Sequence, residues 1–170
     1  MSENPIARNA IASLKQAADL IGGLSDTDYS EPENAVFGYS VGSHFRHLYE
    51  HYVLFRRGWA SGMINFDARD RDPRFERDRA YALDCIRDMC EWLEHLPATE
   101  ANRAIQVAMD CGDGPTADNR SGTTVKRELQ NLVMHDVHHY AIIAMMLKAR
   151  NAVLPPGFGV APSTRAYHLN

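Results

Sequence analysis

The sequence predicts an all-α fold: a four-helix bundle with a long irregular connection between its third and fourth helices. Three observations carry it. Four stretches place apolar residues at helical spacing. Glycine, proline and polar runs punctuate the chain between them. A length of 170 residues suits one domain with one hydrophobic core.

The first helix is expected from about Asn4 to Leu24. Ile6, Ile11, Leu14, Ala18 and Ile21 form its stripe, Pro5 suits its first turn, and the Gly22–Gly23 pair ends it. A polar loop, "SDTDYSEPENAVFGYS", follows. The second helix runs from near Ser40, an N-cap residue type, to about Ala60, where "SGM" breaks it. The third covers about Phe75 to Leu96, with Ala80, Leu83, Ile86, Cys90 and Leu93 inward, and Pro97 stops it. In 103–122, "RAIQVAM" alternates weakly and "DCGDGPTADNRSG" is turn chemistry, so a short strand or irregular crossover is expected. The fourth helix starts near Thr123 or Thr124 and ends near Asn151, with Val125, Leu129, Leu132, Ile143 and Leu147 for the core. The bundle thus occupies 1–151, and 152–170 form an extended tail packed on it, too rich in proline and glycine for a helix.

Composition excludes several functions. Hydrophobic residues make up 45% and charged residues 24%, ordinary for a globular protein. The net charge is −4 and the basic residues do not cluster, so no nucleic-acid partner is expected. Arg69, Arg71, Arg74, Arg77 and Arg79 alternate with Asp67, Asp70, Asp72, Glu76 and Asp78, which reads as a solvated, self-neutralised surface. No signal-peptide core and no apolar run of membrane-spanning length is visible, so a cytoplasmic protein with no membrane partner is expected. Cys85, Cys90 and Cys111 lack CxxC spacing and read as reduced thiols.

Six of the eight histidines fall in two of the helices. "SHFRHLYEHY" places His44, His47 and His51 on one face of the second, since at about 100° per residue they lie within roughly 60° of one another. "MHDVHHYAIIAMML" supplies His135, His138 and His139 in the fourth. His135 and His139 are an i, i+4 pair with Cβ atoms about 5–6 Å apart, a spacing from which two imidazoles reach one ion. That pair plus one histidine of the second helix makes a three-nitrogen site with an open position for water or substrate. The excess histidines read as hydrogen-bond partners of the ligands, pocket walls or surface groups. His44, His51, His138 and Asp136 are the candidates for acid–base duty, and Glu128 reads as solvated.

Other chemistries fit less well. "HDVHH" has aspartate where zinc peptidases of the HExxH type have glutamate. Glu50 and Glu128 lack the ExxH spacing of di-iron bundles, and no GxSxG, GxGxxG or P-loop occurs.

"SVGSHFRHLYEHY", followed some 80 residues later by "RELQNLVMHDVHHYAII", resembles the DinB-like superfamily, also called the DinB/YfiT type. "GFGVAPSTRAY" resembles the tail of an uncharacterised branch. The resemblance spans essentially the whole chain. It implies a bundle of long helices, commonly a homodimer, holding a divalent metal on His47, His135 and His139. Zinc or nickel is the expected ion, with iron as another. It further implies a metal-dependent thiol S-transferase, with a low-molecular-weight thiol and a small electrophile as substrates. A non-catalytic, metal-stabilised dimer serving as a small-ligand or stress-related module, and a metal-hydroxide hydrolase, remain alternatives. Where the commonest form of the family reads "HRGQ" after its last ligand, this chain has "HYAI", so no role of that arginine and glutamine carries over.

Overall fold

A computed structural model describes residues 5–32, 38–112, 114, 118–161, 163, 164 and 167. In chain order it contains α1 (Arg8–Gly23), α2 (Asp26–Ser30), α3 (Val41–Trp59), β1 (Met63–Asn65), α4 (Pro73–Arg77), α5 (Arg79–Glu94), a 3-10 turn (Ala98–Asn102), β2 (Ala104–Ala108), β3 (Arg120–Thr124) and α6 (Val125–Ala149). The predicted helix start at Asn4, residues 33–37 of the first loop, 113 and 115–117 of the crossover, and Pro162, Arg165, Ala166 and 168–170 of the tail lie outside the described residues.

The all-α expectation is overturned. The fold is mixed α/β, with six α-helices and a three-stranded sheet among the described residues. The sheet order is β1-β2-β3, with β1 parallel to β2 and β2 antiparallel to β3. Its registers pair Ile64 with Val107 and Gln106 with Gly122. These strands hold together through backbone hydrogen bonds between distant segments. Three residues in β1, and "RSGTT" in β3, are too short and too polar to show strand periodicity.

Each long helix forms where an apolar stripe meets a stop signal. Ser40 caps α3 by accepting the Ser43 N–H at 3.0 Å, and Thr124 caps α6 by accepting the Arg127 N–H at 3.3 Å. The helix expected over 75–96 is in fact two. Asp78 closes α4 and caps α5, accepting the Tyr81 N–H at 2.9 Å. The apolar stripe continues across that break, which is why periodicity missed it.

The core is built by one face of each long helix: Leu14 and Ile21 of α1, Phe45 and Phe55 of α3, Met89 and Leu93 of α5, Ile143 and Leu147 of α6. Gly58 lets the chain turn back tightly, because a Cβ there would overlap the Met63 carbonyl. Glu128 is buried, not solvated. Its carboxylate accepts from Thr123 Oγ1 at 2.7 Å in the first turn of α6, where the helix dipole favours an anion. In the tail, Phe158 stacks on Tyr140 with centroids 4.8 Å apart.

Candidate metal centre

The sheet sets the geometry of the histidines. α3 ends just before β1, and β3 runs straight into α6, so α3 approaches the sheet and α6 leaves it. At 1.5 Å per residue, His51, His47 and His44 stand about 12, 18 and 22 Å above the end of α3. His135 and His139 stand about 15 and 21 Å above the start of α6. The two antiparallel helices therefore interleave their imidazoles. His51 meets His135 at 4.2 Å between centroids and His44 meets His139 at 5.4 Å. His47 sits between, 5.0 Å from His135 and 4.7 Å from His139.

His47, His135 and His139 each offer a ring nitrogen, and the three nitrogens lie within 4.8 Å of one another. His135 Nε2 and His139 Nε2 are 3.1 Å apart. Two nitrogens bonded to one ion at 2.0–2.1 Å and about 100° apart would be separated by about 3 Å. The distance therefore suits neighbouring ligands as well as a direct hydrogen bond. On the far side of its ring, His139 Nδ1 lies 3.1 Å from His44 Nδ1. Ligating imidazoles are usually oriented by such a second hydrogen bond. His135 Nδ1 is buried with no hydrogen-bond partner among the described residues.

Burial holds these rings neutral. It pushes His47 down to about 3, His135 to about 2 and His139 to about 4, with neighbouring imidazoles adding in the same direction. Burial lowers His44 and His51 as well. Neutral imidazole is the form that binds a metal, so the donor set fits a divalent ion at neutral pH.

The other candidates divide. His51 Nδ1 lies 3.0 Å from the His47 carbonyl oxygen, and its ring stacks on Phe66 at 5.4 Å. His138 is exposed. Asp136 is turned away from the triad into the core, where it is 0% exposed and accepts from Tyr52 Oη at 2.5 Å. Burial raises its carboxyl to about 7 against the lowering effect of the Tyr52 hydroxyl, and its Oδ1 has no hydrogen-bond partner among the described residues. It does not face the imidazoles as a peptidase general base would.

Two contributors had no signal in the sequence. Arg69, in the loop after β1, places Nη1 3.0 Å from His47 Nδ1. Glu50 is buried, pairs with Arg46 at 2.8 Å and accepts the Arg71 N–H. The Arg69–Arg79 run is thus not simply solvated. Arg79 also reaches into the fold, donating to the Ile21 carbonyl at 3.2 Å.

Among the described residues, no helix is long and apolar enough to cross a membrane. No family model matches the chain, and no solved structure matches it. Over 102 residues the chain is 26% identical to FK506-binding protein 5 of Rhizopus delemar. The aligned stretch is 60% of this chain and 26% of that protein, so the chain spans about a quarter of the protein it matches. Similarity of that extent assigns no family; three histidines within metal-binding distance are what the chain itself presents.

Proposed function

We propose that this chain is a metal-dependent thiol S-transferase of DinB-like type, in which His47, His135 and His139 hold one divalent ion. The observation that carries it is the convergence of three neutral imidazole nitrogens within 4.8 Å, drawn from two helices. A divalent ion held there would lower the pKa of a thiol at its open position, the proton passing to water, and so would supply a thiolate at neutral pH. That sulfur's electron pair would form a bond to an electrophilic carbon as the leaving group departs with the pair of the bond that breaks. His44 orients His139 through Nδ1, and burial keeps protons off the three rings. The proposal includes a homodimer in the cytoplasm.

A second reading has its own observation. The hydrogen bond between His51 Nδ1 and the His47 carbonyl is the kind a ligating histidine makes, and it leaves Nε2 for an ion. A fourth imidazole would close the site and make it structural.

Elemental analysis of the purified protein, beside His47→Ala, His135→Ala and His51→Ala, separates these. About one divalent ion per chain, lost in the first two variants and kept in the third, supports an open site. Loss in all three supports the closed one. No metal in the wild type after reconstitution overturns both.

A further inference from the structure

We propose that Arg69 is the anion-recognition residue of this site, and that the ligand it meets carries a carboxylate. The inference rests on the metal reading of the triad and names the class of thiol it would take.

A guanidinium has five donors and no acceptor. The 3.0 Å contact from Arg69 Nη1 therefore makes His47 Nδ1 an acceptor, and the proton of the neutral ring sits on Nε2. A metal bond through Nδ1 takes the lone pair that Arg69 uses. A metal bond through Nε2 moves the ring proton to Nδ1, where it faces another donor. By either nitrogen, metal ligation by His47 and the Arg69 hydrogen bond exclude each other.

The carboxylates that share a cavity with Arg69 are already engaged. Asp70 is paired with Arg57 at 2.5 Å. Asp72 accepts from the Arg74 N–H at 2.9 Å and from Tyr81 Oη at 3.0 Å. Glu50 is held by Arg46 at 2.8 Å and by the Arg71 N–H. Among the described residues, no carboxylate forms an ion pair with Arg69, although it is half-buried. A half-buried guanidinium that no carboxylate pairs with directly favours an anion beside it. The planar fork of arginine matches a carboxylate with two parallel hydrogen bonds. Arg69 also lines a cavity of about 210 Å³ whose apolar wall includes Tyr49, Val53 and Phe75 and whose acidic groups are the already engaged Glu50, Asp70 and Asp72.

The test uses cobalt(II) as a spectroscopic ion and two thiols, 3-mercaptopropionate and 2-mercaptoethanol, read by the cobalt–thiolate absorption band. Both thiols present sulfur to the ion, and only the first presents a carboxylate. The wild type should bind 3-mercaptopropionate at least about ten-fold more tightly. In Arg69→Ala and Arg69→Gln, cobalt should bind as tightly as in the wild type or more so, because its competitor for His47 is gone. The preference between the thiols should fall to about two-fold or less. Retained cobalt stoichiometry is the check that each variant folds, and the glutamine variant keeps the loop's bulk should the alanine one fail. An undiminished preference in a cobalt-loaded variant overturns the role of Arg69 and leaves the metal site standing. Failure of the wild type to bind cobalt overturns the metal reading, and this inference with it.

Discussion

Glu50 and Asp136 make an instructive pair. Each lies on a histidine-bearing helix within three positions of a triad residue, and each is buried, 6% and 0% exposed respectively. Their surroundings differ. Glu50 meets a guanidinium, Arg46 at 2.8 Å, and a backbone N–H, that of Arg71. Asp136 meets one hydroxyl, that of Tyr52 at 2.5 Å, and its Oδ1 is buried with no hydrogen-bond partner among the described residues. Burial pushes the Asp136 carboxyl up to about 7 against that one neutral hydroxyl, whereas Glu50 faces one charged and one backbone donor. Position in the helix does not decide what a buried carboxylate does. The donors facing it decide.

The largest expected effect therefore falls on Glu50. Arg71 adopts φ 55°, a left-handed conformation uncommon for a residue other than glycine, and Glu50 takes its N–H. Glu50→Ala strands that N–H and half-unpairs Arg46, which keeps Glu76 at 2.6 Å. Urea unfolding should show a loss of about 2–3 kcal/mol. Hydrogen exchange should also rise in the loop that carries Arg69. A loss under about 1 kcal/mol would erase the contrast with Asp136.

The same contrast marks what could be read from the sequence. Apolar spacing located the four long helices, because 3.6-residue periodicity is a local property. The i, i+4 spacing of His135 and His139, and the shared face of His44, His47 and His51, were legible for the same reason. The sheet was not, since β1 pairs with β2 some 43 positions away and three residues show no period. Neither was the loop after β1. Alternating Arg and Asp look self-neutralised along the chain, yet Arg69 and the Arg71 N–H are spent on α3. Glu128 looked solvated because a hydroxyl partner five residues back leaves no mark on periodicity.

Partnered and unpartnered nitrogens extend the comparison to the ligands. His139 Nδ1 has His44 beside it, and His135 Nδ1 has no hydrogen-bond partner among the described residues. His44→Ala should weaken metal affinity about 10–100-fold, as loss of an orienting partner does, without changing stoichiometry. Competition against a chromophoric chelator measures it. His138→Ala, at an exposed position one residue from His139, is the control and should leave affinity within about two-fold. Equal losses in the two variants would show that His44 only fills space.

On the hydroxyl-bound side, Tyr52→Phe removes the 2.5 Å donor to Asp136 and should cost about 1 kcal/mol.

Asp136→Asn should cost least, under about 1 kcal/mol near neutral pH. An amide carbonyl accepts the Tyr52 hydroxyl as a carboxyl oxygen does, and the core there already favours an uncharged group. Because the side chain faces away from the imidazoles, metal stoichiometry should be unchanged. Glu50→Gln is the matched experiment. There the amide gives up a charge that Arg46 uses, and the loss should exceed that of Asp136→Asn by at least about 1 kcal/mol. Equal losses would mean that burial alone, and not the kind of donor, governs both carboxylates. A metal loss in Asp136→Asn would place that carboxylate in the site after all, through the backbone it shares with His135.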